Sequence, residues 1–317
     1  MSVSTSRPLL SSTSIVGAIG NTPLVELSRF SAGAARIVAK LEWFNPGGSV
    51  KDRIAAAMLD DAERRGLIAA GGTIVEPTSG NTGVALAMLA AVRGYRCVIV
   101  MPEGYGRVKA RLMEGFGAKV IRTPAAVMMT GAIQHARELV ERTPGAWLPN
   151  QFSNPVNPRC HFETTGPEIW EAASGRIDAW VAGVGTTGTF TGVARFLKER
   201  NPRIRKVAAE PQGSILGGGE RGAHAVEGVG LSFFPEVLDR SVIDEVIMID
   251  DATAFETCRR LAAEEGLLAG GSSGLAAAAA LRVAQELGPG KTVATLFPDG
   301  AERYPEQGIF GETGDRG

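Results

Sequence analysis

The sequence has few of the residues that mark metal centres and disulfide scaffolds. It contains 3 cysteines and 3 histidines in 317 residues. Cys97, Cys160 and Cys258 are odd in number and lack C-x-x-C spacing, so reduced thiols are a simpler interpretation than a disulfide framework. The histidines are equally scattered and form no H-E-x-x-H pattern, so we predict packing or surface roles for them and no metal site.

An excess of charge and long apolar runs are also missing. The 33 basic and 34 acidic residues give a net charge of -1, so the charge balance does not indicate binding to nucleic acid or to an anionic membrane. The longest low-polarity stretch, residues 275–281, is mostly alanine and far too short to span a bilayer. Residues 1–14 lack the continuous apolar region of a secretory signal, so we expect a frayed terminus and a cytoplasmic protein.

Short apolar runs instead alternate with helical patterns. Strands are predicted at residues 36–41, 73–76, 96–101, 119–122, 179–182, 206–209, 245–249 and 292–297. Helices are predicted at residues 53–65, 84–92, 107–116, 253–265 and 273–287. This alternation indicates an α/β fold with parallel sheets covered on both faces, in which ligands bind beyond the carboxyl ends of strands. Boundaries near residues 43–48 and 149–158 suggest a smaller inserted unit.

One turn carries a lysine at a predicted helix start. Residues 45–53 read Asn-Pro-Gly-Gly-Ser-Val-Lys-Asp-Arg, and Ser49 with Asp52 resembles a capping box. Lys51 would then lie in the first helical turn, where the helix dipole and partial burial disfavour an ammonium group. A lysine with a lowered pKa suits Schiff-base chemistry. A solvated lysine is the alternative.

A second turn, residues 76–83, reads Glu-Pro-Thr-Ser-Gly-Asn-Thr-Gly between a strand and a helix. It places hydroxyl, amide and backbone donors around one helix N-terminus, from Thr78, Ser79, Asn81 and Thr82. Such a cluster can bind a small carboxylate. An elaborate N-cap without a ligand is the alternative.

A third turn, residues 183–189, reads Gly-Val-Gly-Thr-Thr-Gly-Thr and also opens a helix. Its free backbone N–H groups and hydroxyls suit a phosphate ester. It also fits G-x-G-x-x-G, with Glu210 closing the next strand, so a dinucleotide site competes. The motif lies in the middle of the chain, however, and a nicotinamide enzyme gives no reason for the other two turns.

A fourth turn, residues 270–274, reads Gly-Gly-Ser-Ser-Gly and fits the pattern of a nucleophilic serine. A serine hydrolase of that fold needs a histidine later in the chain, and the last one is His224. We therefore interpret the turn as a helix start whose serine either caps the helix or contacts a ligand.

Taken together and in this order, the turns resemble the fold-type-II pyridoxal-phosphate enzymes, in particular the cysteine synthase and cystathionine β-synthase family. The resemblance runs from residues 19–24 to residues 302–304 and includes residues 150–155 and 164–168. It implies two doubly wound α/β domains with mostly parallel sheets, as in the tryptophan synthase β-like fold. Residues 1–45 and 151–317 would form the larger, cofactor-binding domain, and residues 46–150 the smaller, mobile, substrate-binding domain.

The resemblance also implies pyridoxal 5'-phosphate as cofactor and assigns residues to it. Lys51 would hold it as a Schiff base and act in catalysis, and Asn81 would bond its phenolic oxygen. The phosphate would be bound by Gly185, Thr186, Thr187, Gly188 and Thr189. The substrate would be bound by Thr78, Ser79, Gly80, Thr82, Gln151 and Gly228.

The implied reaction is β-replacement on an activated serine, with O-acetyl-L-serine and sulfide giving L-cysteine through an α-aminoacrylate. Alternatives are cystathionine synthesis, from serine or O-acetylserine with homocysteine, and synthesis of another β-substituted alanine. Outside this class stand an NAD(P)-dependent oxidoreductase and a non-catalytic relative. The resemblance further implies a homodimer that acts on small molecules and binds neither nucleic acid nor membrane.

Three departures from the family pattern bear on the site. Gly300 stands where a hydroxyl commonly contacts the cofactor's ring nitrogen, so Ser272, with Ser273 behind it, is our expected substitute. Residues 104–107 read Gly-Tyr-Gly-Arg where a Met-Ser pair is usual, and they are expected to border the substrate. Leu231 stands where cystathionine β-synthase tends to have a tyrosine, and a leucine cannot bond the hydroxyl of serine.

Overall fold

A computed structural model describes residues 13–311 and contains two β-sheets. The larger sheet has the order β1 (Leu24–Glu26), β2 (Arg36–Leu41), β10 (Thr292–Phe297), β7 (Ala179–Gly183), β8 (Arg205–Pro211) and β9 (Glu245–Ile249). The smaller sheet has the order β5 (Lys119–Thr123), β4 (Arg96–Pro102), β3 (Thr73–Pro77) and β6 (Ala146–Trp147). Among the strands of residues 13–311, only β1 pairs antiparallel with its neighbour. The expected α/β fold with mostly parallel sheets is confirmed.

The helices lie between the strands along the chain. They are α1 (Lys51–Arg64), α2 (Asn81–Arg93), α3 (Arg107–Gly115), α4 (Met128–Arg142), α5 (Val156–Cys160), α6 (Gly166–Ala172), α7 (Gly188–Arg200), α8 (Asp251–Glu265) and α9 (Gly271–Leu287). A π-helical turn, His161–Thr165, joins α5 to α6. Short 3-10 turns cover Ile15–Ala18, Glu42–Phe44, Ala125–Val127, Arg240–Val242, Ala301–Arg303 and Pro305–Gln307.

The strands of the smaller sheet all come from residues 73–147, inside the stretch predicted as a separate unit. All eight predicted strands are present, with ends that differ by at most two residues. The sequence patterns missed β1 and β6, which are short and lie at sheet edges, where alternation is too brief to read. The exact domain boundary and the mobility of the smaller unit stay predictions.

Helix α9 explains the alanine-rich stretch that looked too short for a membrane span. Ala276, Ala277, Ala279 and Ala280 are completely buried, and the helix packs on β10 and β7. Side chains of one carbon let a helix approach a sheet closely without leaving voids. Within residues 13–311, no helix combines the length and apolar character needed to cross a membrane.

A buried cluster of charges joins α1 to the larger sheet. Arg53 donates to Glu42 at 2.6 Å and to Glu168 at 2.7 Å, and Lys40 pairs with Glu168 at 2.6 Å. Burial alone would raise the pKa of Glu168, but hydrogen bonds and charges from Arg53 and Lys40 lower it to about 2. The cluster therefore fixes the start of α1, and with it Lys51, against β2 and α6.

The three cysteines are all free and buried. Burial raises the pKa of their thiols, to about 12 for Cys97 and Cys258 and about 11 for Cys160. Thiols in such surroundings stay protonated and unreactive at neutral pH.

Candidate active site

A cavity of about 290 Å³ lies where the carboxyl ends of strands from both sheets meet. Its walls come from the start of α1 and from the turns after β3, β7 and β10. Thirteen of the fourteen predicted site residues line it: Lys51, Thr78, Ser79, Gly80, Asn81, Thr82, Gln151, Gly185, Thr186, Thr187, Thr189, Gly228 and Ser272. The exception is Gly188, which is the first residue of α7. The topology thus brings together turns that are far apart in sequence.

Lys51 is the first residue of α1 and is partly buried in the cavity wall. Burial lowers the pKa of its amine from 10.5 to about 8, while the negative charges of Asp299 and Glu42 oppose the shift. No hydrogen bond or ion pair to its Nζ atom occurs among the described residues. With this pKa about a tenth of the amine is uncharged at pH 7, and this is the form that a nucleophilic or basic lysine uses.

The predicted capping box at the start of α1 is wrong. The N-cap residue is Val50, and the Asp52 carboxylate accepts a hydrogen bond from the Gly47 N–H at 2.6 Å instead of from Ser49. Ser49 Oγ accepts from the Lys51 N–H at 3.2 Å. Asp52 is held by the glycine turn, and its other oxygen, Oδ1, is buried with no partner in residues 13–311. Burial raises the pKa of this carboxyl group to about 7. The helix begins at Lys51, one residue later than a box with Ser49 as N-cap would give, and Lys51 lies in its first turn as expected.

The turn after β7 has the shape of an anion cradle. Thr187 has a φ of 68°, and its buried hydroxyl has no partner within the described chain. A Cβ on Gly185 would lie 2.4 Å from the Gly228 carbonyl oxygen, so only glycine fits there. Helix α7 starts at Gly188 and presents its N-terminus to the same turn. An unpaired hydroxyl, close backbone approach and a helix N-terminus together fit a phosphate group.

Two residues that the sequence patterns did not single out support this cradle. Asn157 donates to Thr186 Oγ1 at 3.2 Å and to the Gln151 carbonyl at 2.8 Å. His161 bonds the Thr189 hydroxyl at 3.1 Å and is neutral, because burial keeps its pKa well below 6.5. His161 was predicted to be a packing or surface residue; it is a buried one with a hydrogen-bonding role. Its position on the π-helical turn could have been found only from the fold.

The turn after β3 forms the opposite wall. Thr82 donates to Gln151 Oε1 at 2.7 Å, which turns the amide N–H₂ group of Gln151 away from that contact. The backbone N–H groups of Asn150 and Gln151 in turn donate to Glu76, the last polar residue of β3. Burial raises the pKa of Glu76 to about 7, opposed by these two bonds. This wall is rich in donors suited to a carboxylate.

The C-terminal turn after β10 closes the cavity with groups that the sequence patterns also missed. Asp299 Oδ2 accepts from Asn81 Nδ2 and from the Tyr304 hydroxyl, each at 2.5 Å. The Nζ atom of Lys109 lies 3.9 Å from the centre of the Tyr304 ring. The same lysine forms an ion pair with Glu227 at 2.7 Å. Nothing local in the sequence marks these residues as part of the site, because the contacts of Asp299 with Asn81 and of Lys109 with Glu227 join residues more than a hundred positions apart.

Ser272 is the expected substitute for the missing ring-nitrogen partner, and this role stays a prediction. Ser272 is buried and lines the cavity. Ser273 lies behind it and donates to the Asp299 carbonyl at 3.3 Å. Gly300 is absent from the cavity wall, and its α-carbon faces the Glu302 carboxylate. Ser272 therefore remains the residue at this wall with a hydroxyl to offer.

The atypical loop at residues 104–107 has a physical explanation. Gly106 has a φ of 58°, and a Cβ there would lie 2.5 Å from the Ser79 carbonyl oxygen. Any larger residue would push the loop away from the turn after β3. Tyr105 lines the cavity, as expected for a loop that borders the substrate.

Comparison with known proteins identifies this arrangement. Residues 15–299 match the family described as pyridoxal-phosphate dependent enzyme. The chain belongs to this family. It is 50% identical over 289 residues to a cysteine synthase of Staphylococcus aureus (strain Mu50 / ATCC 700699), which covers 90% of this chain and 93% of the relative.

Two solved structures are similar over nearly the whole length. One is an O-acetylserine dependent cystathionine beta-synthase from Helicobacter pylori, with 44% identity and a TM-score of 0.90, covering 95% of this chain and 100% of that chain. The other is an O-ureido-L-serine synthase, with 44% identity and a TM-score of 0.93, covering 97% of both chains. The resemblance to fold-type-II enzymes is thus confirmed, and the cofactor is pyridoxal phosphate. The role of each individual site residue stays a prediction.

Proposed function

We propose that this enzyme carries out β-replacement on an activated serine, converting O-acetyl-L-serine and sulfide to L-cysteine and acetate. The observation that carries the proposal is the meeting of three features in one cavity. These are the partly uncharged amine of Lys51, the turn at residues 185–189 that can bind a phosphate group, and the wall at residues 78–82 that is rich in hydrogen-bond donors. The relatives named cysteine synthase support the same reaction.

The residues present fit the cofactor. Lys51 would hold it covalently, the turn at residues 185–189 would bind its phosphate, Asn81 would donate to its phenolic oxygen, and Ser272 would contact its ring nitrogen. Bound pyridoxal phosphate supplies an electron sink that stabilises negative charge at the α-carbon of an amino acid. The protein has to supply orientation, proton transfer and protection from water.

The side chains around the cavity can supply these functions. Thr78, Ser79 and Gln151 would hold the substrate carboxylate, with Thr82 fixing Gln151 through its hydroxyl. The Nζ atom of Lys51, released from its covalent bond when the substrate amine takes its place, would remove the α-proton as general base. Acetate would then leave the β-carbon, the sulfur of the nucleophile would bond to it, and Lys51 would return the proton to the α-carbon.

The smaller sheet and its helices would act as the mobile unit that excludes water during these steps. Lys109 of α3 reaches across to Glu227 and Tyr304, next to the predicted substrate residue Gly228. This buried lysine connects residues 46–150 to the C-terminal part of the chain. It supports the proposal that closure joins two units around the substrate.

A second candidate is cystathionine synthesis from O-acetylserine and homocysteine, supported by the likeness to the Helicobacter pylori enzyme. Unactivated serine is a weaker candidate as donor, since its hydroxide leaving group needs assistance. Leu231 is buried in the core of the larger sheet and offers no hydroxyl for this purpose.

The direct test offers the purified enzyme O-acetylserine, serine or phosphoserine as donor, each with sulfide or homocysteine. We expect cysteine from O-acetylserine and sulfide, and no product from Lys51→Ala. Faster turnover with homocysteine would favour the second candidate. Turnover by Lys51→Ala would contradict both.

We also propose that the enzyme is a cytoplasmic homodimer, as the resemblance to the cysteine synthase and cystathionine β-synthase family implies. Sedimentation equilibrium of the purified protein tests the dimer, with twice the 33.2 kDa chain mass expected. Cell fractionation tests the location.

A further inference from the structure

The amide of Asn81 is held at both of its ends by the C-terminal turn. Its Nδ2 donates to Asp299 Oδ2 at 2.5 Å, and its Oδ1 accepts from Arg303 Nη1 at 3.0 Å. Asn81 begins α2, and Asp299 lies 218 positions further along the chain. These contacts lie on the cavity wall and are separate from the predicted contact between Asn81 and the cofactor.

Only one orientation of the amide satisfies both contacts. An asparagine offers two N–H donors at one end and an acceptor oxygen at the other. Rotating the amide by half a turn would place its N–H₂ group against the Arg303 guanidinium and its oxygen against the Asp299 carboxylate. With one N–H occupied by Asp299, the other remains available to a ligand in the cavity.

Asp299 is itself held in place. The Tyr304 hydroxyl donates to the same oxygen, Oδ2, and the Asp299 backbone is bonded by the Gly270 N–H at 3.1 Å. Its other oxygen, Oδ1, is buried and has no partner among the described residues. Burial raises the pKa of Asp299, while hydrogen bonds from Tyr304 and Asn81 and the charges of Lys109 and Arg303 oppose the shift. The charged or titratable neighbours that bear on it are Tyr304, Lys109, Arg303, Lys51 and Cys258.

We propose that Asp299 is a positioning residue that acts through Asn81, fixing the amide so that its free N–H faces the phenolic oxygen of the cofactor. This inference rests on the proposed function. Arg303 supports the same orientation from the oxygen end, and Tyr304 keeps the carboxylate from rotating. The C-terminal turn would thus set the electronic environment of a cofactor that it need not touch.

A double-mutant cycle on the holoenzyme tests this role. Asp299→Ala and Asn81→Ala should each alter the visible absorbance band of the cofactor and weaken pyridoxal-phosphate affinity about ten-fold, the loss expected for one hydrogen bond to a charged group. The affinity is measured by quenching of tryptophan fluorescence. The double variant should be no weaker than Asn81→Ala, and an additive loss of about a hundred-fold would overturn the proposal.

Conservative and control variants separate positioning from folding. Asp299→Asn keeps an oxygen that can accept from Asn81 and should restore most of the band, whereas a spectrum as altered as that of Asp299→Ala would overturn the proposal. Asp239→Ala is the matched control, because the Asp239 carboxylate, like that of Asp299, accepts from a hydroxyl and from N–H groups but lies outside the cavity. Its absorbance band should be that of the wild type.

If Asp299→Ala does not fold, Tyr304→Phe provides the test, since it frees the carboxylate without removing it. A smaller change of the same band is expected, and a spectrum identical to that of the wild type would overturn the proposal. Failure of the proposed function is recognised separately, because it is measured as turnover of O-acetylserine and sulfide by the wild-type enzyme, whereas the visible band reports only the bound cofactor.

Discussion

The Thr82 hydroxyl donates a hydrogen bond to Gln151 Oε1 at 2.7 Å, although the two residues are 69 positions apart in the chain. Thr82 lies in the first turn of α2, and Gln151 follows the smaller sheet. Both line the cavity. The contact leaves the amide N–H₂ group of Gln151 free to bind an acceptor, such as a carboxylate.

Removal of this amide should weaken binding of the amino-acid donor specifically. In Gln151→Ala we expect the KM for O-acetylserine to rise about ten-fold or more, because a hydrogen bond to a charged group is lost, while the KM for sulfide stays unchanged. Gln151→Glu keeps an acceptor for Thr82 but adds a negative charge, so its defect should be larger. Steady-state kinetics with each substrate varied in turn measures both constants. Equal increases for donor and sulfide would refute the assigned role.

The phosphate turn should tolerate no added methyl group at the start of α7. A Cβ on Gly188 would lie 2.0 Å from Asn157 Oδ1, so Gly188→Ala must displace Asn157 and the turn that it supports. We expect pyridoxal-phosphate affinity to fall about ten-fold or more, an effect typical of overpacking. The control is Gly115→Ala at the end of α3, where nothing lies within 4 Å of the added atom. Cofactor titration of both variants distinguishes a local effect from a general one.

Patterns of strand and turn residues predicted most of the fold. The runs at residues 36–41, 245–249 and 292–297 are strands with those exact ends. The first and third are almost wholly buried, whereas the second, at the edge of the sheet, is only partly buried. The helices α1, α2 and α9 begin two or three residues earlier than predicted. Their first turns contain glycine, asparagine or lysine, which carry no apolar periodicity, and only backbone geometry places them in the helix.

The candidate site was predictable where a motif is local and invisible where the contact is distant. Lys51 and the turn at residues 185–189 are recognisable because glycine and hydroxyl residues cluster within a few positions. Asp299 and Tyr304 lie in a short turn with no such signature, and their roles come from Asn81 and Lys109. The mistaken capping box shows the same limit, since Asp52 bonds Gly47 instead of its expected partner.

The buried ion cluster yields a prediction for stability. Arg53→Ala would leave Glu42 and Glu168 without their main partner, and we expect a loss of about 3–5 kcal/mol in the free energy of unfolding. The matched control is Arg64→Ala on the same helix, whose exposed side chain pairs with Asp61 and should contribute less than about 1 kcal/mol. Chemical unfolding of both variants measures the two losses in the free energy of unfolding. Similar losses would contradict the predicted contribution of the buried cluster to stability.

The buried carboxylate of Glu76 should make stability depend on pH. Its pKa is about 7 in the folded chain and 4.5 ordinarily, so the folded state binds the proton more tightly. The resulting stabilisation is complete below pH 4.5 and is lost as pH rises through 7, with a limit of about 3 kcal/mol. Asp52, whose pKa is also raised to about 7, acts in the same direction.

The midpoint of thermal unfolding of the wild type should therefore decrease as the pH is raised from 5 to 8. Glu76→Gln removes one of the two titrating groups, so its midpoint should fall less steeply over the same range. Parallel curves for the two proteins would show that Glu76 is ionised throughout, contrary to this account.

The central claim is that the amine of Lys51 is uncharged often enough, and close enough to the phosphate turn, to hold the cofactor covalently. Borohydride reduction of the holoenzyme, followed by proteolysis and mass spectrometry, tests it most directly. The account predicts a phosphopyridoxyl group on the peptide that contains Lys51. A label on another lysine of the cavity wall, such as Lys109, or no labelled peptide at all, would contradict it.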